Sequence, residues 1–390
     1  MHSFDMRVAH FAKYAFARIG GMERHVGILT RALAARGVDV TVFAYDPSGT
    51  AKPRTVDGVK VEPVPTLLHF SSQSLAPALI TRSRRIAREQ RFDVVHQHWP
   101  DPFAHIAATL VPGRPAQVVS WHSDIVRQKL LRPIYRAIAP RVLVRPDALI
   151  GATQAHLRSE QMDCFAPPER RHVIPYSIDT SSYEATPQVL QTAHALRMRY
   201  GGSRVIFALG RHVYYKGFEV LIRAMRNVPA VLLLGGEGPL TPELRRLAID
   251  LAAKVEFIGT IAEELLPAYY HACDVFCLPS VAQTEAFGLV QAEAMICGKP
   301  LVNTALGNGV NELAPDGLCA LAVRPGDQQE LATALCRVLS DSELAARLGA
   351  AGRNRVRTAF TVDSMTQKML DLYEMVAVPR APMYNNSPST

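Results

Sequence analysis

Short apolar runs alternate along this chain with longer stretches in which apolar side chains recur every three or four positions. In the first half, Arg7–Phe11, Asp39–Ala44, Val59–Pro63, Asp93–His98, Gln117–Trp121 and Ala148–Ala152 read as strands. Between the first two, Glu23–Arg36 sets Val26, Leu29, Leu33 and Ala34 at helical spacing, and Gly37 stops the helix. The second half repeats the pattern, with strands at Val205–Leu209, Ala230–Leu234, Val255–Ile258, Val275–Leu278 and Leu301–Thr304. Helices are expected at Phe218–Met225, Pro242–Leu251, Glu263–His271, Phe287–Ile296, Gln328–Leu339 and Glu343–Val356. Such alternation predicts parallel sheets covered by helices. No short repeat is visible, so a solenoid is excluded.

The polar stretch Ser177–Pro187 and the pair Gly201-Gly202 place a boundary near residues 180–202. The expectation is therefore an α/β chain of two doubly wound domains, 1–185 and 186–362, facing a central cleft. Met365, Met369, Leu372 and Tyr373 make 363–378 an amphipathic helix, expected to pack back on the first domain. Residues 379–390, rich in Pro, Asn and Ser/Thr, read as a disordered tail. Open parallel sheets bind ligands beyond the carboxyl ends of their strands, so the site is expected between the domains.

Composition narrows the classes. Of 390 residues, 48% are apolar and 20% charged, which excludes disorder over most of the length. The longest apolar runs, such as Ala230–Leu234, are far short of the ~20 residues a membrane-spanning helix needs. The first residues carry Asp5 and lack an apolar core, so no secretory signal is expected. The cysteines at 164, 273, 277, 297, 319 and 336 include no pair at the two-residue gap of a zinc or redox motif, and read as reduced thiols. A cytoplasmic location follows as an expectation. The net charge of +8 is uneven: residues 1–180 hold 24 Lys+Arg against 15 Asp+Glu. That excess fits either an anionic partner or a solvated basic face.

The residues with chemical promise follow strands. Gly20-Gly21 leads into the first helix, where a glycine pair lets backbone N–H groups approach a phosphate or simply makes a tight turn. Gly210-Arg211 and Tyr215-Lys216-Gly217 put two cations past a strand, suiting a diphosphate. In Glu285-Ala-Phe-Gly-Leu-Val-Gln-Ala-Glu293 the first acid is expected in a loop and the second on a helix. The N–H groups of Phe287, Gly288 and Leu289 would then point at an anion. His96-Gln-His98 could hold a metal from one strand face, but no third ligand stands at suitable spacing, so it reads as a structural or cleft-wall pair. An Asp-X-Asp metal-holding pair is absent.

These features resemble the retaining, glycogen-synthase-like family-four glycosyltransferases of GT-B architecture. The anchors are Gly20-Gly21, Trp121-His122-Ser123-Asp124, Ile174-Pro-Tyr-Ser-Ile-Asp179, Gly210-Arg211, Lys216-Gly217, Gly235-Gly-Glu-Gly238 and the Glu285/Glu293 pair, in order across residues 6–376. The resemblance implies two Rossmann-like domains, the first for the acceptor and the second for the nucleotide sugar. It implies that Arg211 and Lys216 hold the donor diphosphate, that Glu285 accepts hydrogen bonds from the transferred sugar, and that Glu293 takes the ribose. His122 would face the donor sugar, Gly20 and Gly21 would touch phosphate, and Ile258-Gly259 would line the nucleobase. No metal and no cofactor are implied, and retention of configuration implies same-face attack by the acceptor.

Asn303–Val310 and His122–Lys129 are similar to segments of bacterial surface-polysaccharide transferases that use GDP-mannose-type donors. A lipid-linked saccharide acceptor would follow, and nucleic acid is not an expected partner. The competing readings are a nucleotide-sugar epimerase or sugar phosphorylase on the same architecture, and a non-enzymatic nucleotide binder. Five arginines within Thr81–Arg91, and Arg127, Lys129, Arg132, Arg136 and Arg141 interleaved with Leu130, Leu131, Ile134 and Tyr135, suggest two basic amphipathic segments at an anionic membrane surface.

Overall fold

Strand β1 (Arg7–Ala12) lies near the middle of an eight-stranded sheet and carries Val8, Ala9 and Phe11 into its core. The computed structural model describes residues 6–13, 21–70, 73–122, 146–158 and 166–377. The sheet continues through β2 (Asp39–Asp46), β3 (Arg54–Val56) and β4 (Val59–Pro65) on one side of β1. A separate small hairpin pairs β5 (Leu68–Phe70) with β6 (Gln73–Leu75). On the other side of β1 stand β7 (Val94–Trp99), β8 (Ala116–Trp121), β9 (Ala148–Gly151) and β10 (Arg171–Val173). The order is β10-β9-β8-β7-β1-β2-β4-β3, parallel except at the β3–β4 edge.

The second sheet holds β11 (Arg204–Leu209), β12 (Ala230–Gly235), β13 (Val255–Gly259), β14 (Val275–Leu278), β15 (Leu301–Thr304) and β16 (Ala320–Val323). Its order, β13-β12-β11-β14-β15-β16, reverses direction at β11–β14, so helices cover both faces. The ladders between its neighbouring strands are all parallel. Two doubly wound sheets thus follow one another in the chain, and strands buried on both faces explain the continuous apolar runs.

Several elements escape the periodicity reading. The Ala78–Glu89 helix hides among its arginines, and the Pro102–Thr109 and Pro187–Met198 helices open on proline at N1, with Asp101 and Thr186 capping them. Strands β3, β5, β6 and β10 are three residues each, too short for an alternation to register.

The chain crosses between the sheets at two adjacent places. Ile178 forms an isolated bridge with Thr361, and its N–H donates to the Phe360 carbonyl at 3.2 Å. Past this point the Val362–Ala377 helix returns to the first sheet. Its Met365, Met369, Leu372 and Tyr373 join Val26, Leu29 and Leu33 in one core. Full burial of each such Val, Leu or Met side chain stabilises by about 1.5–3 kcal/mol. The tail 379–390, Cys164 and the basic stretch 127–141 lie outside the described residues; of the other cysteines, 273, 277, 297 and 319 are buried free thiols.

Candidate active site

The loops after β11 and β14 are pressed together at the carboxyl edge of the second sheet. Gly217 has φ 67°, and a Cβ there would lie 2.0 Å from the Pro279 carbonyl oxygen, so only glycine allows the approach. The Lys216 stem lies across Gly210, and its Nζ sits 2.5 Å from Glu285 Oε2. Ser280 Oγ donates to the same carboxylate oxygen at 3.0 Å, and Asn308 Nδ2 donates to the Glu285 backbone carbonyl at 2.8 Å. Lys216 and Glu285 are both buried, while Arg211 in the same loop is exposed. The result is a fixed ion pair, with exposed Arg211 in the same loop, at the strand ends where open sheets bind ligands.

Glu293 engages a different set. It is buried on the Leu289–Ile296 helix, where Tyr270 Oη donates to Oε2 at 2.7 Å. Arg24 Nη1, from the first helix of the chain (Gly21–Ala35), donates to Oε1 at 2.6 Å. Arg24 also donates to Tyr183 Oη at 3.0 Å. Burial raises the Glu293 carboxyl above its ordinary pKa despite that cation. Sequence reasoning missed Arg24. Its position three residues past Gly21, on the first turn of a helix aimed at the cleft, was the available signal.

The helix carrying Glu293 starts at Leu289, two residues later than expected. Gly288, with φ 70°, turns the chain at its N-cap, and the Phe287 ring stays in the core. Phe287 meets Tyr176 edge-on at 5.0 Å between centroids. Gly21 is the first residue of its helix, and Gly20 lies outside the described residues. Ile258 and Gly259 close β13, half-exposed, and Gly259 accepts from the Gly236 N–H at 2.7 Å.

His122 follows β8 and is buried. Its Nε2 is 3.0 Å from His98 Nδ1, and its Nδ1 pairs with Tyr176 Oη. The third imidazole that the spacing of His96 and His98 did not reveal is His10, from β1. His10, His96 and His98 all place ring nitrogens within 4.8 Å of one another. Strand register explains this: His10 lies opposite His96 across the β1–β7 pairing. Burial lowers the pKa of His10 to about 3 and of His25 to about 4, and pushes His96, His98 and His122 well below the ordinary value. All are therefore neutral at pH 7.

Two family models match the chain. Residues 19–182 match Glycosyltransferase Family 4, and residues 194–355 match Glycosyl transferases group 1. The O-antigen chain mannosyltransferase C of Escherichia coli is 27% identical over 370 residues, covering 94% of this chain and 98% of that one. The D-rhamnosyltransferase WbpZ of Pseudomonas aeruginosa is 28% identical over 363 residues, covering 91% and 92%. The D-inositol 3-phosphate glycosyltransferase of Xylanimonas cellulosilytica is 30% identical over 394 residues, covering 91% of each. Among solved structures, a sucrose-phosphate synthase from Thermosynechococcus elongatus superposes with a TM-score of 0.79 at 22% identity, over 95% of this chain and 98% of that one. The chain belongs to the family-four, group 1 glycosyltransferases and has the GT-B fold.

Proposed function

We propose that this glycosyltransferase moves a hexose from a GDP-mannose-type donor to a lipid-linked saccharide, with retention of configuration and without a metal ion, in surface-polysaccharide synthesis. The observation that carries the reading is the Lys216–Glu285 pair at 2.5 Å beside exposed Arg211, at the ends of β11 and β14. A departing nucleoside diphosphate needs its charge neutralised where it develops. Lys216 and Arg211 supply two cations there. Glu285, held by Lys216 and Ser280, is a preorganised acceptor for sugar hydroxyls. Glu293 takes the ribose by sharing its carboxylate with Arg24. His122 stands at the donor-sugar side, with Gly20, Gly21, Ile258, Gly259 and the Phe287–Leu289 backbone around the nucleotide. The acceptor attacks from the face that the diphosphate leaves.

The names of the E. coli and P. aeruginosa relatives support mannosyl or rhamnosyl transfer, and the absence of Asp-X-Asp from the sequence supports metal independence. The reading places the enzyme in the cytoplasm, reaching its acceptor from the membrane surface; among the described residues no helix is long and apolar enough to cross a membrane.

Thermal shift with GDP against UDP, followed by diphosphate release from a panel of nucleotide sugars in EDTA, tests this. A ligand at 100 times its Kd stabilises by about 2.7 kcal/mol. Stabilisation by GDP and metal-free release from GDP-mannose are expected. A response to UDP alone, or activity lost in EDTA and restored by manganese, would overturn the donor or the metal assignment respectively.

A further inference from the structure

An unbroken line of hydrogen bonds runs through the first sheet from Tyr176, two residues before the first chain crossing, to Ser120 on β8. Tyr176 Oη pairs with His122 Nδ1, and His122 Nε2 with His98 Nδ1 at 3.0 Å. His98 Nε2 meets His10 Nδ1 at 3.2 Å, and His10 Nε2 meets Tyr373 Oη at 3.3 Å. Tyr373 Oη then reaches His96 Nδ1 at 2.5 Å, and His96 Nε2 reaches Ser120 Oγ at 2.8 Å. Each of the eight ring nitrogens is used once, in six links.

A neutral imidazole has one donor and one acceptor nitrogen, and a hydroxyl can do both. Only two proton arrangements then satisfy every link and also give the buried Tyr373 hydroxyl hydrogen an acceptor. Either each histidine carries its proton on Nε2 and the line points from Tyr176 to Ser120, or each carries it on Nδ1 and the line is reversed. A mixed arrangement either sets two acceptors or two donors face to face, or makes Tyr373 Oη accept from both His10 and His96 and strands its own buried O–H, so each leaves a buried polar group unpaired. The end groups choose between the two. Tyr176 is a phenol and a better donor than the Ser120 alcohol, so the line runs from Tyr176 and the proton sits on Nε2.

We propose that His98, His10, Tyr373 and His96 are positioning residues that hold His122 as a neutral Nε2–H imidazole, and that the four rings share one tautomer set from the Tyr176 end. Both His122 nitrogens are then spent inside the protein, so the charge of a departing diphosphate falls to Arg211 and Lys216. The Tyr373 link makes the orientation of His122 depend on the seating of the Val362–Ala377 helix. At the other end Tyr176 packs on Phe287 of the second half. The close approach of His10, His96 and His98 also suits a divalent cation, but the cluster contains no carboxylate to offset its charge, and every ring nitrogen already has a partner.

The proposal rests on the preceding reading only in placing His122 beside the donor, and its test needs no donor. Full-length protein labelled with 15N-histidine, assigned with single His→Gln variants, is examined by imidazole nitrogen NMR at pH 7. All four rings are expected to show the Nε2–H pattern. Tyr176→Phe removes the donor that sets direction, and the nitrogens of His122, His98 and His10 are expected to shift together. Ser120→Ala leaves the Tyr176 donor in place, so His122, His98 and His10 are expected to keep the Nε2–H pattern, and this variant serves if Tyr176→Phe fails to fold. Different tautomers among the four rings in the wild type, a Tyr176→Phe response confined to His122, or a change of tautomer at His122 in Ser120→Ala, would overturn the proposal. So would stoichiometric Co2+ uptake that is lost in His10→Gln. Failure of the donor reading would appear separately, as no diphosphate release from an enzyme with an intact nitrogen pattern.

Discussion

Arg24 of the first half donates to Glu293 of the second at 2.6 Å, and so ties the two sheets together across the cleft. The Arg24 side chain is 26% exposed and that of Glu293 only 4%, so the acid depends on this cation more than the reverse.

Arg24→Leu therefore leaves a buried carboxylate without its cation, and is expected to destabilise by about 3 kcal/mol at pH 7. The Glu293 pKa, already raised by burial, rises further in the variant. A group with a raised folded pKa gains relative stability as pH falls through that value. The gap between variant and wild type should narrow between pH 7 and pH 5, as read by denaturant midpoints. A constant gap would mean that the lost interaction is packing and not charge.

The Lys216–Glu285 pair yields a double-variant test. Lys216→Ala is expected to lower turnover by about 10²–10³, the scale of one lost preorganised donor. Because Glu285 is buried beside Lys216, the same change should lower the melting temperature. Lys216→Met with Glu285→Gln should recover most of that stability and none of the turnover. Glu285→Gln alone should depress transfer strongly while GDP still binds. Near-normal turnover in folded Lys216→Ala would remove the pair from the chemistry.

Acid sensitivity follows from the histidines. The pKa values of His10, His25, His96, His98, His105 and His122 are lowered by burial. Unfolded histidines take protons near pH 6.5, whereas these stay neutral when folded. Their contribution is thus complete above pH 6.5 and is lost as pH falls, at about 1.4 kcal/mol per pH unit for each ring. Stability should drop steeply from pH 6.5 toward pH 4. A flat profile over that range would contradict neutral burial.

Membrane association is expected through charge. In the Ala78–Glu89 helix Leu79, Ile86 and Ala87 pack into the first domain, so this segment cannot insert an apolar face as its sequence suggested. Arg82 is bound to Glu62 at 3.0 Å. Arg85, Arg88 and Arg91 remain exposed. Each cation near an anionic surface contributes about 1 kcal/mol, screened by salt. Co-sedimentation with anionic vesicles should occur at low salt and vanish near 0.5 M, about where screening removes it. Arg85→Gln with Arg88→Gln and Arg91→Gln should weaken it without affecting GDP binding. Unchanged binding in that variant would exclude this surface.

Periodicity alone determined the two-sheet architecture, because strands buried on both faces and helices with one apolar stripe leave unlike patterns in the sequence. Glycines and charges placed after strands, such as Gly217, Lys216 and Glu285, were legible for the same reason: loops at strand ends are where a parallel sheet exposes chemistry. The partners of those residues were not. Arg24 finds Glu293 across 269 positions, and His10 finds His98 across 88. No local pattern records such pairings, since they depend on strand order, on register and on how the two sheets close. Tyr373 shows the limit most plainly. Its spacing marked it as one more apolar position on the last helix, and only the return of that helix to the first sheet set its hydroxyl between His10 and His96.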